Sequence, residues 1–273
     1  MPKWLIFTDL DGTLLDSSTY SFDLALSALK KIKLAGVPLI ISSSKTYSEI
    51  KDLRREMHNN WAFSVENGAA VFFPQGNVEG FDNSMQQIIL GVPIASILNV
   101  IHDVREQQGF LFKGFSDYSV EALMLETGLN ESQAINAKQR VASEPIKWLD
   151  SEENLRVFEQ ALNKEGLQLI QGGRFLHVMG ENDKSLAMAW IVSKFKAENE
   201  QDMQTIALGD SQNDSKMLES ADFSGVIRRN DGSHLQLNKD SAKTIYSQNV
   251  APLGWQEVID QFFDRLNIGE GNE

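Results

Sequence analysis

The chain of 273 residues is 42% hydrophobic and 23% charged, a balance typical of a globular protein with roughly one to two domains. It contains no cysteine, which excludes disulfides, thiolate metal sites and cysteine nucleophiles and fits a cytoplasmic location. The net charge of −13 argues against nucleic acid or an anionic membrane as the main partner. No apolar run approaches the roughly 18 residues of a membrane span.

The first part of the chain alternates short apolar segments with helical patterns. The predicted elements are a strand over 4–7, a helix over 22–35, a strand over 37–41, a helix over about 47–58, and apolar runs over 62–65 and 69–73. Strands that alternate with helices in this way predict a right-handed, parallel α/β arrangement.

From about Phe81 the pattern changes, because residues 80–93 are rich in Gly, Asn, Asp and Pro and are interpreted as a linker. A helix is expected to begin at Asp150, with Glu153 in position for a capping box. The other predicted elements of this segment are a helix over 94–107, a strand over 110–115, helical pieces within 119–140, a strand near 146–149, and strands over 167–170 and 175–179.

The α/β pattern returns in the last part of the chain, with a helix over about 184–197, a buried strand in "TIALGD" (205–210), a helix from about 213 and a last helix over 255–266. These elements predict a Rossmann-like parallel sheet with helices on both faces. We assign this core to residues 1–82 and 183–273, and an inserted α+β cap domain to residues 83–182.

Polar clusters follow three of the predicted strands. They are Asp9 with Asp11, the segment Ser42–Lys45, and Asp210 with Asn213 and Asp214. Ligands of open α/β sheets bind at the carboxyl ends of the strands, so the three clusters are expected at one edge of the sheet. Several carboxylates this close repel one another when all are ionised, unless a cation binds between them. Oxygen ligands of this kind predict Mg²⁺, which also takes water and substrate phosphate.

A phosphate at this edge would give each residue type a chemical task. One carboxylate can attack phosphorus, and a second can move the proton of the leaving oxygen and of water. The Ser43 hydroxyl and a lysine, such as Lys184 at a predicted helix start, can hold the phosphoryl oxygens. Taken singly, Asp-Gly is a common turn, Ser and Asp cap helices, and Lys184 is an ordinary surface lysine. The ordered set favours a phosphoryl-transfer site.

These motifs resemble those of the haloacid dehalogenase superfamily of phosphohydrolases. The four motifs are "DLDGTLL" (9–15), "IISSSK" with Ser43, "NDKSLA" with Lys184, and "GDSQND" (209–214). The large insertion between the second and third motifs resembles members with a second-type cap. One departure is Ser185, because a glycine commonly follows the lysine in that family.

The resemblance implies roles for these residues. Asp9 would be the nucleophile and Asp11 the general acid and base. Mg²⁺ would be held by Asp9, the backbone carbonyl of Asp11, and Asp210, with Asp214 helping. The phosphate would be bound by Ser43, Lys184 and Asn213.

A narrower resemblance, to mannosyl-3-phosphoglycerate phosphatases and their bacterial relatives, depends on "SSKT" (43–46), "ENGA" (66–69) and "QGGRFLHV" (171–178). These enzymes hydrolyse a phosphorylated sugar-glycerate. The resemblance implies substrate contacts from Lys45, Asn67, Arg174 and His177. The glycine pair 172–173 is also what a hairpin turn requires, and a histidine in an alternating strand is more often packed than ligating.

Three alternatives stay open at this point. The runner-up is a phosphatase of other sugar phosphates, and a second is a sugar phosphomutase or phosphotransferase of the same superfamily. The third is a signalling receiver, which also accepts phosphate on an aspartate beside Mg²⁺. The Asp9/Asp11 pair and the insertion argue against a receiver. The sequence leaves the oligomeric state unknown.

Overall fold

The computed structural model describes residues 3–74, 85–172, 174–199 and 202–269. It divides into two compact units. The first unit comprises Met1–Ser43, Trp61–Ser64 and Asp183–Glu273, and the second comprises Ser44–Asn60 and Val65–Asn182. The sequence-based division into a core (1–82, 183–273) and a cap (83–182) assigns 44–60 and 65–82 differently. That division stays a prediction.

The strands of the described residues are β1 (Trp4–Thr8), β2 (Leu39–Ser42), β3 (Phe63–Val65), β4 (Ala70–Pro74), β5 (Met85–Ile89), β6 (Phe112–Gly114), β7 (Ser143–Trp148), β8 (Leu167–Gln171), β9 (Leu176–Gly180), β10 (Gln204–Gly209), β11 (Phe223–Arg228) and β12 (Thr244–Val250). The helices are α1 (Leu26–Leu34), α2 (Tyr47–Glu56), α3 (Ile94–Gln108), α4 (Val120–Thr127), α5 (Glu131–Lys138), α6 (Glu152–Lys164), α7 (Lys184–Asn199), α8 (Ser215–Ser220) and α9 (Leu253–Leu266). No helix of the described residues has the length and apolar character needed to cross a membrane.

The sheet of the first unit runs in the order β12–β11–β10–β1–β2–β3. The pairings from β12 through to β3 are parallel, and β1 lies between β10 and β2. Every residue of β1 is buried, as expected for a strand covered on both faces. The predicted α/β class, with a Rossmann-like parallel sheet and an inserted α+β segment, is confirmed.

Two strands of this sheet, β11 and β12, were not expected from the sequence. Their segments, "FSGVIR" and "TIYSQNV", mix apolar residues with Ser, Gly, Gln and Asn. The apolar run in each is short, and the pairing partner lies elsewhere in the chain. Parallel pairing to β10 and then to β11 orders them, which is a tertiary effect that local composition does not reveal.

The second unit contains an antiparallel sheet in the order β6–β7–β9–β8. Helices α3 and α6 pack on one of its faces. The core between them is formed by Ile97, Ile101, Phe110, Phe112, Ile146, Phe158, Leu162, Leu167 and Val178. The α4–α5 pair has a smaller apolar cluster with Phe115, Leu123 and Ala134.

Two details of the second unit correct the sequence interpretation. Residues 85–89 of the expected linker form β5, which pairs antiparallel with β4 from Ala70↔Ile89 to Pro74↔Met85. Residues 80–84 of that linker lie outside the described residues. The cap of α6 is Ser151 rather than Asp150, because the Ser151 side chain accepts a hydrogen bond from the Asn154 backbone.

Candidate active site

The first unit places a lysine ammonium between two carboxylates. Lys184 Nζ donates to Asp9 Oδ1 and to Asp214 Oδ1, at 2.6 Å in each case. All three residues are buried, and Lys184 is only 1% exposed. A charge removed from water in this way requires close partners, so the pairing determines where all three side chains lie.

Parallel strand pairing brings the acids to one edge of the sheet. Asp9 directly follows β1 and Asp210 directly follows β10, and these strands pair with Thr8 opposite Leu208. The Asp9 backbone N–H donates to the Leu208 carbonyl at 3.0 Å. The Thr8 hydroxyl donates to the Asp9 carbonyl at 2.7 Å and accepts from the buried indole N–H of Trp255 at 2.9 Å. The backbone of Asp9 is therefore held from two sides.

Asp214 is oriented by the turn that precedes it. Its Oδ2 accepts from the backbone N–H groups of Asp210 and Ser211, both at 3.1 Å, and from the Ser211 hydroxyl at 3.2 Å. With Lys184 on Oδ1, both oxygens of this fully buried carboxylate are hydrogen-bonded. The orientation of the Asp214 carboxylate is therefore fixed through both of its oxygens.

Asp210 is held by neighbours that the sequence analysis did not assign to the site. The buried hydroxyl of Thr13 donates to Asp210 Oδ1 at 2.9 Å. The Arg229 side chain donates through Nε to the Asp210 backbone carbonyl at 2.8 Å. Thr13 belongs to the first motif, so its position in the sequence could have indicated a place in the site. Arg229 lies in a polar loop after β11, and nothing in the sequence around it indicates such a place.

Two glycines allow the carboxylates to approach the backbone. Gly12 has a φ of +74°, and a Cβ there would lie 2.9 Å from Asp210 Oδ2. A Cβ at Gly209 would lie 2.6 Å from the Asp214 Cβ. Any larger residue at either position would displace an acid of the cluster.

Burial and neighbouring charges raise the pKa of Asp9 and of Asp210. Burial raises the pKa of Asp9 well above its usual value; the Lys184 charge opposes this rise, while Asp214, Asp210 and Asp11 add to it. Burial and the charge of Asp214 raise the pKa of Asp210 to about 6, against the hydrogen bond from Thr13. The pKa of Lys184 is raised by Asp214 and Asp9, which outweigh its burial, so it stays charged.

The donor set fits a hard divalent cation. One carboxylate oxygen from each of Asp9, Asp210 and Asp214 lies within 4.8 Å of the others. All the donors are oxygens, as Mg²⁺ prefers, and the three carboxylates outnumber the one lysine that pairs with them. The side chain of Asp11 is not part of this group; it is half-buried, and its predicted metal contact is a backbone carbonyl.

Lys184 is positioned by the start of α7. The Asp183 carboxylate accepts from the backbone N–H groups of Ser185 and Leu186 at 2.9 and 3.0 Å, and thereby caps the helix. The Ser185 hydroxyl donates to the same oxygen of Asp183 at 2.5 Å. Ser185, which replaces the glycine common in the family, therefore takes part in the cap and leaves the lysine in the acid cluster.

The other predicted phosphate ligands lie in the first unit. Ser43 is fully buried directly after β2, and its backbone N–H donates to the Ser64 carbonyl at 3.1 Å. Since β2 pairs in parallel with β1, Ser43 follows the same end of the sheet as Asp9. Asn213 is half-buried, and its Oδ1 accepts from the Ser211 hydroxyl at 2.5 Å. Their roles in binding phosphate stay predictions.

The residues predicted to contact the substrate all belong to the second unit. Lys45 is half-buried, and its carbonyl accepts from the Glu66 backbone at 3.0 Å. Asn67 is buried with a φ of 55°, between Glu66 at 52° and Gly68 at 83°. Three consecutive left-handed residues, two of them not glycine, are costly and need support from their surroundings.

Arg174 and His177 lie in different environments. The exposed Arg174 guanidinium donates to the carbonyls of Thr127 and Glu126, at 2.5 and 3.5 Å, where it caps the end of α4. His177 Nδ1 is buried and has no hydrogen-bond partner among the described residues. Burial, with the charge of Arg140, lowers the pKa of His177 to about 3, so the ring is neutral. Their roles toward a substrate stay predictions.

A family model of haloacid dehalogenase-like hydrolases matches residues 6–232. The chain belongs to this family. The predicted superfamily and the hydrolase class are therefore confirmed. Membership also sets aside the signalling receiver, which is not a hydrolase.

Solved structures share the fold of this haloacid dehalogenase-like hydrolase. A protein from Bacteroides thetaiotaomicron, analysed among phosphatases of the haloalkanoate enzyme superfamily, is 15% identical with a TM-score of 0.66, over 96% of this chain and 95% of its own. A protein from Eubacterium rectale is 18% identical with a TM-score of 0.65, over 96% and 99%. Thermoplasma acidophilum 0175 is 16% identical with a TM-score of 0.64, over 98% and 100%.

Proposed function

We propose that this hydrolase is a Mg²⁺-dependent phosphatase that acts through a phosphorylated Asp9. Its proposed substrate is a phosphorylated sugar-glycerate, mannosyl-3-phosphoglycerate, which it converts to mannosylglycerate and phosphate. One observation carries the reaction: the buried Lys184 ammonium lies 2.6 Å from both Asp9 and Asp214, with Asp210 in the same oxygen cluster. The substrate rests on the narrower resemblance in the sequence.

In the first half-reaction, a carboxylate oxygen of Asp9 attacks phosphorus in line with the ester oxygen. A bond forms between Asp9 and phosphorus while the bond from phosphorus to the leaving oxygen breaks. Asp11 donates its proton to that oxygen, and the alcohol departs. The hydrogen bonds that hold the Asp9 backbone at Leu208 and Thr8 keep its side chain in one place during the attack.

In the second half-reaction, Asp11 accepts a proton from water as the water oxygen attacks phosphorus. The bond between phosphorus and Asp9 breaks, inorganic phosphate leaves, and the Asp9 carboxylate is restored. Both half-reactions place negative charge on the phosphoryl oxygens. Lys184, Ser43 and Asn213 are the proposed donors to these oxygens.

Asp9, Asp210, Asp214 and the backbone carbonyl of Asp11 are the proposed ligands of Mg²⁺. When bound, Mg²⁺ offsets the negative charge of the acids and of the phosphoryl group. Thr13 and Arg229 keep Asp210 in position through hydrogen bonds to its side chain and its carbonyl. Contacts of this kind orient ligands before a metal arrives.

The second unit is the proposed cap that selects the substrate. Lys45, Asn67, Arg174 and His177 are the proposed contacts to the glycosyl-glycerate part, on the strength of the family resemblance. The cytoplasmic location and a small-molecule partner stay predictions.

The decisive experiment compares Asp9→Asn with the wild-type enzyme on 4-nitrophenyl phosphate, with Mg²⁺ and with chelator. We expect wild-type turnover only with Mg²⁺, and no measurable turnover by the variant, because an amide cannot form the acyl phosphate. The matched control is Asp23→Asn, which changes an exposed acid of the same unit. Unchanged turnover by Asp9→Asn at saturating Mg²⁺ would rule out the proposal.

The runner-up, a phosphatase of other sugar phosphates, shares this mechanism and differs only in substrate. A panel of sugar phosphates and glycosyl-3-phosphoglycerates, scored by phosphate release, separates the two. Formation of a sugar bisphosphate without phosphate release would instead indicate a phosphomutase or phosphotransferase.

A further inference from the structure

Arg140, in the loop between α5 and β7, is a nearly buried arginine whose hydrogen-bonding capacity is only partly used. Its side chain is 5% exposed. Nε donates to the Ser143 hydroxyl at 2.9 Å, and Nη2 donates to the Ser44 carbonyl at 3.0 Å. Guanidinium carries five N–H donors. Among the described residues, Nη1 and the second hydrogen of Nη2 have no hydrogen-bond acceptor.

The nearest carboxylate, Glu66, is already occupied. Its oxygens accept from the Val141 N–H at 2.8 Å, the Ala142 N–H at 3.0 Å and the Ser143 hydroxyl at 2.7 Å. The distance from Arg140 Nε to Glu66 Oε2 is 3.7 Å, too long for a hydrogen bond. Glu66 thus balances part of the charge of Arg140 and fixes the loop, and leaves the outer edge of the guanidinium unbound.

The same guanidinium is tied to the segment that carries Ser43. Its Nη2 bonds the carbonyl of Ser44, which is covalently joined to Ser43. Glu66 strengthens this link, since its backbone N–H donates to the Lys45 carbonyl. Arg140 therefore bonds the residue that directly follows a proposed phosphate ligand in the chain.

His177 lies on the same face of the sheet as Ser143, whose hydroxyl accepts a hydrogen bond from Arg140. Ser143 and Pro145 are two residues apart on β7, and Pro145 is opposite His177 on β9, so the three side chains share a face. Nδ1 of His177 is buried without a partner among the described residues. Ser143, which bonds Arg140, therefore shares a face of the sheet with His177, and both Arg140 and His177 have unmet hydrogen-bonding capacity among the described residues.

We infer that Arg140 is the residue that recognises a carboxylate on the substrate, with His177 beside it. The edge formed by Nη1 and Nη2 matches a carboxylate through two parallel hydrogen bonds. The ligand class is a phosphate monoester of a hydroxy acid, as in a phosphoglycerate. This inference rests on the proposed phosphatase function and refines it, because it places the carboxylate on Arg140 rather than on Arg174, whose guanidinium caps α4.

The test uses substrates that differ in the carboxylate. 3-Phosphoglycerate and mannosyl-3-phosphoglycerate carry it, glycerol 3-phosphate replaces it with a hydroxymethyl group, and 4-nitrophenyl phosphate reports basal activity. For Arg140→Gln we expect a loss of roughly 10- to 100-fold in kcat/KM, mostly in KM, on the carboxylate esters alone. Arg140→Lys, which keeps the charge without the planar edge, is expected to lose less on the same substrates.

The matched control is Arg105→Gln, which removes another partly buried guanidinium of the second unit, one that pairs with Asp117. We expect this variant to show no loss of kcat/KM that is confined to the carboxylate esters. If Arg140→Gln fails to fold, Arg140→Lys decides. Equal losses of kcat/KM on all four substrates in a folded Arg140 variant would overturn the inference. Arg140 would then have only a structural role, in supporting the loop before β7. A selective loss in Arg174→Gln with none in the Arg140 variants would also overturn it.

Failure of the inference and failure of the proposed function look different. An enzyme that hydrolyses 4-nitrophenyl phosphate but shows no preference for either carboxylate ester over glycerol 3-phosphate is a phosphatase without a carboxylate site. An enzyme that hydrolyses none of the four is not the proposed phosphatase, and the inference falls with it.

Discussion

The ammonium of Lys184 lies 2.6 Å from a carboxylate oxygen of Asp9, although the two residues are 175 positions apart in the chain. The same ammonium lies 2.6 Å from Asp214. The lysine thus neutralises part of the charge of a buried acid cluster while it contacts the proposed nucleophile. We therefore expect both stability and activity to depend on this one side chain.

Replacing Lys184 by Met is expected to destabilise the protein and to abolish most of its activity. The change leaves Asp9 and Asp214 buried without their cation, at a cost of about 3–5 kcal/mol in the free energy of unfolding. Added Mg²⁺ should restore part of that loss. Denaturant unfolding with and without Mg²⁺, together with turnover of 4-nitrophenyl phosphate, measures both effects.

The control for that experiment is Lys216→Met, since Lys216 pairs with Asp183 at 2.9 Å but its side chain is 69% exposed. Exposed ion pairs contribute up to about 1 kcal/mol, so a small loss is expected. Equal destabilisation by the two variants would contradict the structural role assigned to Lys184.

The stability of the metal-free protein should fall as pH rises from about 4 to about 6. The pKa of Asp210 is raised to about 6 in the folded state, chiefly by burial, against about 3.9 when unfolded. Between these values the folded state holds a proton that the unfolded state has lost, so this group stabilises the fold below pH 4 and that contribution is lost through pH 6. Asp9, whose pKa is also raised, acts in the same direction.

Because Mg²⁺ competes with that proton, the rise in Tm on adding Mg²⁺ should be small near pH 5 and larger near pH 7. Thermal unfolding at fixed ionic strength measures it. Asp210→Asn should flatten the metal-free pH dependence. A Mg²⁺-induced rise that is the same at both pH values would argue against proton competition at this cluster.

Replacing Thr13 by Val should weaken Mg²⁺ binding while the fold is retained. The hydroxyl donates to Asp210 Oδ1 at 2.9 Å and lowers the pKa of that acid. Loss of a hydrogen bond to a metal ligand typically costs about 10- to 100-fold in affinity. The Mg²⁺ concentration that gives half-maximal activity measures it.

Thr205→Val is the matched control for Thr13→Val. Thr205 is also a buried threonine of the first unit, and its hydroxyl donates to Asp222 at 2.9 Å, outside the acid cluster. The Thr205→Val variant should be less stable, but the Mg²⁺ concentration that gives half-maximal activity should not change. A similar shift in both variants would show a general effect of the loss of a buried hydroxyl.

Glu66→Gln is expected to loosen the loop before β7. The carboxylate accepts three hydrogen bonds from residues 141–143, and an amide nitrogen in its place meets donors instead of acceptors. Loss of its charge beside Arg140 also leaves a buried cation without balance, so a cost of about 3–5 kcal/mol is expected. Hydrogen exchange should show faster exchange at 141 and 142 than elsewhere in the second unit.

Glu257→Gln provides the comparison for Glu66→Gln. The Glu257 carboxylate accepts from the backbone of Gln248 at 3.0 Å and of Asn249 at 3.2 Å in exposed surroundings. Its replacement should cost about 1 kcal/mol or less, because water can satisfy both donors. Protection of 141 and 142 that persists in Glu66→Gln would refute the anchoring role.

The sequence by itself determined the class of fold and the positions of the acids. Buried strands and amphipathic helices are local patterns, and Asp9 and Asp210 directly follow strands that are readable from their apolar residues. Once those strands are parallel, the acids must share an edge of the sheet. The grouping of Asp9 and Asp210 was therefore predictable from motifs in chain order.

The tertiary structure decided what those residues touch. The pairing of Lys184 with Asp9, the bond from Thr13 to Asp210 across 197 positions, and the contacts of Glu66 with residues 141–143 join distant segments. Hydrogen bonds and ion pairs depend on distances of a few tenths of an ångström, and these are set by packing and not by local pattern. For the same reason the sequence indicated Arg174 as a candidate and held no sign of Arg140, because which donors of an arginine already have acceptors is decided only on folding.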